Sequence, residues 1–208
     1  MSTLTFLSLG ANVGDALETL HGAVYALDDV DGLAVEDVSG VYRTAPWPPP
    51  DDPRHVPQDD YLNLVVRART TLAPHVLLDE MQLVEAAFGR DRDREQRWGP
   101  RPLDIDLLVV GAAEVADDRL TLPHPRLAER AFVLVPLFEV WPGGALPDGR
   151  RLTRLLGALA PIEGVELEVR LREVPGRHVE RPEGPGAPTA SFERPGVDPG
   201  RDDPGSGA

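Results

Sequence analysis

An α+β fold built as a βαββαβ sandwich is predicted by three observations. Short apolar runs alternate with helix-period segments in the order strand, helix, strand, strand, helix, strand over residues 4–110. The 208 residues suffice for one domain with its own core. From about residue 175 the chain turns to Pro, Gly, Ser and charge, with too little apolar surface to offset the entropy of ordering. That element order is the ferredoxin-like one, and the full expectation is a ferredoxin-like sandwich with C-terminal helical additions and a disordered tail.

The first strand is the apolar run 4–9, followed by a turn over 10–15. Leu17, Leu20, Ala23, Val24 and Leu27 then recur at helical spacing, and Asn12 or Asp15 is placed to cap that helix. Gly10 and Gly14 ahead of a helix also suit a phosphate cradle, although the complete dinucleotide fingerprint is absent. Residues 33–44 form the second strand, with Val35, Val38 and Val41 apolar. It runs into Ala45-Pro46-Trp47-Pro48-Pro49-Pro50 and an acidic segment ending at Asp60. A connection this long inside a compact domain is functional or disordered. Trp47 is either a cover for a flat ligand or a packing residue over the sheet.

Residues 61–70 are the third strand. Its two-residue period puts Tyr61, Asn63 and Val65 on one face and Leu62, Leu64 and Val66 on the other. Tyr61 beside Asn63 suits stacking on a heterocycle and reading its edge; a core tyrosine with an edge asparagine is the plainer alternative. The second helix has Pro74 in its first turn, the apolar stripe Leu77, Met81, Val84 and Phe88, and Gly89 to end it. Gln82 and Glu85 lie together elsewhere on its surface and by pattern alone belong to a solvated face. Residues 90–97 alternate in sign without apolar content, which predicts an exposed loop rich in guanidinium groups.

The fourth strand, 103–110, carries Asp104 and Asp106 on one face, about 6.6 Å apart along the chain, with Leu103, Ile105 and Leu107 on the other. Two carboxylates on one face of a buried strand repel each other and are costly to desolvate unless a cation compensates them. Oxygen ligands at this spacing suit a hard ion such as Mg²⁺; the bland alternative is a strand end whose aspartates sit in water. Arg97, Trp98 and Arg101 just upstream favour the metal reading, because planar cations beside a metal-binding pair suit a polyphosphate. Beyond it, residues 114–122 make a small excursion. Pro123 and Pro125 fix the direction of His124, which either binds phosphate or satisfies the interior. Residues 126–138 are expected to be helical and interrupted at Pro136, with Arg130 and Phe132 in the early turns. Residues 152–159 read as a short helix and 165–172 as a half-exposed edge strand.

Composition narrows the chemistry. With no cysteine, disulfides, thiolate zinc sites and cysteine nucleophiles are excluded. Every basic side chain other than histidine is arginine, which removes a Walker-type lysine and Schiff-base chemistry. A net charge of −14 argues against a nucleic-acid binder, so a bound polyanion must sit at a local basic cluster, densest between Arg90 and Arg101. No apolar run approaches a membrane span and no basic-then-apolar leader opens the chain, so a cytoplasmic protein without membrane or nucleic-acid partners is expected.

Several spaced motifs resemble, in one order, the 6-hydroxymethyl-7,8-dihydropterin pyrophosphokinases of folate biosynthesis. They are Leu9-Gly10-Ala11-Asn12, Tyr42-Arg43-Thr44, Asp60-Tyr61-Leu62-Asn63, Gln82 with Glu85, Gly89-Arg90, Arg97-Trp98-Gly99-Pro100-Arg101 with Asp104-Ile105-Asp106, and Leu122-Pro123-His124 with Arg130 and Phe132. The resemblance implies a pyrophosphokinase domain over 1–172, followed by the tail, 173–208. It implies that Asp104 and Asp106 hold two Mg²⁺ ions on the phosphates of ATP, with Arg92 and Arg101 neutralising transition-state charge. Gln82, Glu85, Arg97, Trp98, Leu107, Arg119, Thr121, His124 and Arg130 would line the nucleotide pocket. Tyr61 and Phe132 would sandwich the pterin ring, with Asn63 and the backbone at Thr44 and Ala45 on its edge and Trp47 close by. The hydroxymethyl oxygen would attack the β-phosphorus of ATP and release AMP. A monomer is expected, with loops 44–59 and 90–97 closing over the substrates. No residue presents itself as a general base. Two other classes share parts of the pattern: a nucleotidyltransferase or glycosyltransferase using Asp-x-Asp, and a catalytically silent ferredoxin-like binding module. The first does not explain Tyr61, Asn63 and Phe132, and the second has no need of buried carboxylates beside arginines.

Overall fold

The computed structural model describes residues 1–49, 51–171 and 174–175. Strand β1 (Thr3–Ala11) is followed by helix α1 (Ala16–Asp28), β2 (Leu33–Val38), β3 (Val41–Thr44), β4 (Tyr61–Thr70), α2 (Pro74–Ala87) and β5 (Asp104–Val110). These strands form an antiparallel sheet in the order β5-β1-β4-β3, with β2 also paired to β4. The predicted single strand over 33–44 is thus two strands broken at Ser39-Gly40. The break has a partner: the Gly40 amide donates to Glu139 Oε2 and the Val65 amide to Ser39 Oγ.

The turn predicted over 10–15 is shorter than expected, because Gly10 and Ala11 still pair with Asn63 and Leu62 and belong to β1. Asp15, rather than Asn12, caps α1 by accepting from the Glu18 amide. Val115–Ala116 (β6) and Thr121–Leu122 (β7) form the small hairpin. A 3-10 turn, Leu127–Glu129, then leads into α3 (Ala131–Val140). Helix α3 continues through the buried Pro136 where an interruption was expected; in so short a helix the ring removes one ladder bond. Helix α4 (Leu152–Ala158) and strand β8 (Val165–Val169) complete the fold, β8 pairing with β3. Strand β8 is more exposed than the half-buried strand its alternation predicts, with Leu167 and Val169 accessible. The expected tail lies outside the described residues except for Val174 and Pro175, and Val174 is buried in the core. Among the described residues no helix is long and apolar enough to cross a membrane.

Both sheet faces are covered, unequally. On one, α1 and α2 pack Leu20, Leu27, Leu77 and Met81 against Leu7, Leu9, Leu64, Val66, Ile105 and Leu107. On the other, α3 and α4 bury Phe6, Val65, Leu108 and Val109. A register shift where β1 meets β5, between Phe6 and Leu7, brings Leu108 and Val109 to the same side. The second face also carries Ser8, Gly10, Tyr61, Asn63, Asp104 and Asp106, and these line an open cleft beyond the helices' cover. The cleft is therefore the part of that sheet face that α3 and α4 leave uncovered.

Candidate active site

Alternation along β5 delivers both aspartates to the cleft and sends Ile105 and Leu107 into the opposite core. Across the sheet, Asp104 sits beside Gly10 and Gly10 beside Asn63, while Asp106 sits beside Ser8. Gly10 is consequently the cleft floor: a Cβ there would meet Asn63 Oδ1 at 3.0 Å and Tyr61 Cδ1 at 3.7 Å. The two glycines that suited a phosphate cradle are thus placed apart. Gly10 is strand, and Gly14, at φ +66°, lines a different groove with Asp15 and Asp59.

The two carboxylates have different partners. Arg90 Nη1 donates to Asp104 Oδ1 at 2.5 Å and Arg101 Nη1 to Oδ2 at 2.7 Å. Burial alone would raise the Asp104 pKa, but the charges of Arg101 and Arg90 outweigh it and hold the carboxyl below its usual range. Among the described residues Asp106 has only Arg130 Nη1 at 3.4 Å and His124 Nε2 at 3.7 Å. Burial, then the negative charge of Asp104, pushes its pKa up. The Arg126 amide donates to His124 Nδ1 at 3.2 Å, which leaves Nε2 as the protonated nitrogen facing Asp106. Burial lowers the His124 pKa despite the opposing pull of Asp106.

On the opposite wall, Tyr61, Asn63, Thr44, Ala45, Trp47 and Phe132 line the cleft. Asn63 Nδ2 donates to Thr44 Oγ1 at 2.8 Å, which fixes the amide with its oxygen toward Gly10. The Tyr61 hydroxyl donates to the Gly99 carbonyl at 3.0 Å, and burial raises its pKa to about 12, so it acts as a neutral donor. Arg130 lies 5.5 Å from the Phe132 ring centroid, joining the aromatic wall to Asp106. One cleft thus brings together Thr44, Ala45, Trp47, Tyr61, Asn63, Trp98, Arg101, Asp104, Asp106, Arg130 and Phe132.

Of the remaining expected site residues, His124 faces Asp106, and the others lie elsewhere. Leu107 has its side chain in the core. Gln82, Glu85 and Arg92 line a neighbouring groove, where Arg92 pairs with Glu85. Glu85 is not on a solvated face: it is 1% exposed, and the turn of α2 aims it beneath β5, where Oε1 accepts from the Ile105 amide at 2.7 Å. Arg119 pairs with Asp79 at 2.5 Å on the surface, and Thr121 is exposed on β7. Arg97 is exposed and lies 5.2 Å from the Trp98 ring centroid.

Sequence reasoning missed the observed roles of two residues of evident importance. Arg90, within the segment expected to be exposed, is 8% exposed and binds Glu85, Glu95 and Asp104 together. Asn12 joins three loops. Its Nδ2 donates to Gln58 Oε1 and the Asp59 carbonyl at 3.0 Å each, its Oδ1 accepts from the Arg101 amide, and its amide donates to the Arg101 carbonyl. Gln58 Nε2 in turn donates to the carbonyl of Trp98, whose backbone is left-handed at φ +67°. Asn12→Ala unties these loops and is expected to lower stability by about 1–3 kcal/mol, the cost of buried partners left unpaired. Hydrogen exchange should rise at residues 58–60 and 98–101, and unchanged protection there would contradict this role.

Residues 6–142 match the family described as 7,8-dihydro-6-hydroxymethylpterin-pyrophosphokinase (HPPK). The chain is 45% identical over 166 residues to a 2-amino-4-hydroxy-6-hydroxymethyldihydropteridine pyrophosphokinase of Methylorubrum extorquens, covering 79% of this chain and 99% of that one. The corresponding protein of Haemophilus influenzae is 36% identical over 162 residues, covering 78% and 96%. Among solved structures, wild-type HPPK-DHPS of Plasmodium falciparum superposes with a TM-score of 0.57 at 12% identity, a likeness of fold alone. The match covers 76% of this chain and 45% of that longer one.

Proposed function

This chain belongs to the 7,8-dihydro-6-hydroxymethylpterin-pyrophosphokinase family, and we propose that the cleft between Asp104, Asp106 and the Tyr61–Phe132 wall is where its reaction runs. That reaction is pyrophosphate transfer to hydroxymethyldihydropterin in folate biosynthesis. In our reading the donor is ATP, the hydroxymethyl oxygen attacks the β-phosphorus, and AMP leaves. The observation that carries this reading is the juxtaposition, in one cleft, of a flat-ring wall with a carboxylate pair rimmed by arginines. The strand order β5-β1-β4-β3 also supports a ferredoxin-like sandwich over 1–172.

The residues fit Mg²⁺. Asp106 is a partly buried carboxylate, 35% exposed, whose pKa desolvation and the charge of Asp104 push up, the condition a cation relieves. Asp104 and Asp106 would hold the two ions, which supply charge neutralisation on the phosphates. The protein does the rest by placement. Phe132 and Tyr61 hold the pterin ring, Asn63 and the Thr44–Ala45 backbone fix its edge, and Trp47 covers it. Arg101 faces the phosphates through the guanidinium that pairs with Asp104, while its buried Nε, without a hydrogen-bond partner among the described residues, lies 3.7 Å from Glu95 Oε2. Arg92 reaches the phosphates only by leaving Glu85, and Gln82, Glu85, Arg97, Trp98, Leu107 through its backbone, Arg119, Thr121, His124 and Arg130 form the nucleotide side. Transfer of this kind needs in-line placement and charge neutralisation rather than covalent help.

Phe132→Ala tests the division of the cleft. Losing one face of a ring sandwich costs roughly 1–3 kcal/mol, so pterin affinity by calorimetry should fall about tenfold or more while ATP affinity stays within about twofold. Equal losses for both ligands, or none for the pterin, would remove the assigned pterin wall.

A further inference from the structure

We propose that Arg126 is a further ATP-binding residue, contacting the polyphosphate from the Trp98 side of the cleft. This rests on the functional reading above. The arginines near the cleft differ in what already holds them. Arg90 is locked among Glu85, Glu95 and Asp104, and Arg92 is paired with Glu85. Arg101 pairs with Asp104, Arg130 with Asp106, and Arg119 is committed to Asp79 away from the cleft. Arg126 has no carboxylate partner among the described residues. Its guanidinium carbon lies 5.1 Å from the ring centroid of Trp98, which lines the cleft.

That contact is weak enough to give up. A partly exposed cation–π contact is a weak attraction, whereas charge-assisted hydrogen bonds to phosphate are among the strongest available. Arg126 is already placed at the site: its amide fixes the ring of His124, whose Nε2 faces Asp106, and its positive charge is felt by both His124 and Arg130. A triphosphate arriving at Asp104 and Asp106 therefore meets Arg126 as an uncommitted cation, while Arg119 must first break an ion pair.

The test separates a phosphate contact from mere support of the indole. Binding of ATP and of adenosine, each with Mg²⁺ and without pterin, is measured by displacement of a fluorescent ATP analogue from the full chain and from Arg126→Gln and Arg126→Lys. We expect Arg126→Gln to weaken ATP about tenfold, as loss of a charged hydrogen bond does. Adenosine should stay within about twofold, and Arg126→Lys should recover most of the ATP loss. Equal weakening of ATP and adenosine would show that Arg126 only props Trp98, and an unchanged ATP affinity would also overturn the proposal. A wild-type chain that binds no ATP would remove the functional reading itself, an outcome distinct from failure at Arg126 alone.

Discussion

Asp106→Asn is expected to reduce pterin-dependent AMP formation by about 10³-fold, the scale on which preorganised charge at a transferring group acts, with the fold intact. Asn keeps the shape and removes the charge. The site relies on that charge because Asp104 is already neutralised by Arg90 and Arg101, whereas Asp106 has, among the described residues, only the longer contacts to Arg130 and His124. Asp104→Asn should cost as much, and in addition removes one ion-pair partner each from Arg90 and Arg101. The acid limb follows from the same asymmetry. The Asp106 pKa is raised, so as pH falls it protonates before an ordinary carboxylate does, and Mg²⁺ affinity falls with it. In Asp106→Asn that early loss of affinity disappears. Steady-state rates and Mg²⁺ titrations across pH measure both effects; activity within tenfold of wild type would contradict the role of the pair.

Arg90→Met should be the most destabilising single change, by about 3–5 kcal/mol, because it strands a buried carboxylate. Glu85 is 1% exposed, and burial already pushes its pKa up against the pull of Arg90. Without Arg90 it keeps the Ile105 amide and the side chain of Arg92. The urea midpoint should fall by roughly 1–3 M. The sign with pH is fixed: a carboxyl whose folded pKa is raised binds its proton more tightly when folded, so stability falls as pH rises through the raised value. The deficit of Arg90→Met should therefore narrow on acidification. Adding Glu85→Leu should recover much of the loss, since an apolar replacement no longer needs a cation. A loss below about 1 kcal/mol would show that the triad is ornamental to stability.

These two predictions also mark what the chain discloses without coordinates. The aspartate pair was legible because strand alternation places Asp104 and Asp106 together whatever the rest of the fold does. The same rule gave Tyr61 and Asn63 a common face, and all four line the cleft. Arg90 was not legible. In a run of alternating charge nothing local distinguishes the one guanidinium that turns inward; its burial is set by Glu85 on α2, Asp104 on β5 and Glu95, five, fourteen and five residues away. Glu85 reads as surface for a like reason, because its partners come from β5 and the arginine loop. Asn12 has the composition of a capping residue, yet Asp15 caps α1 and Asn12 ties loops 46 and 89 residues distant. The break at Ser39-Gly40 likewise depends on Glu139 of α3, ninety-nine residues on from Gly40. Periodicity reports a residue's own element, while long-range polar partners decide which exceptions are tolerated.

The central claim is that the cleft moves the β- and γ-phosphates of ATP together onto the pterin hydroxymethyl oxygen. ATP labelled at the β-phosphorus, incubated with Mg²⁺, the chain and 6-hydroxymethyl-7,8-dihydropterin, tests it directly. The label should appear in a pterin diphosphate, with unlabelled AMP formed in equal amount and only when the pterin is present. Label in ADP would mean transfer of the γ-phosphoryl group alone, and label in free pyrophosphate with AMP joined to the pterin would mean nucleotidyl transfer; either result would contradict the account.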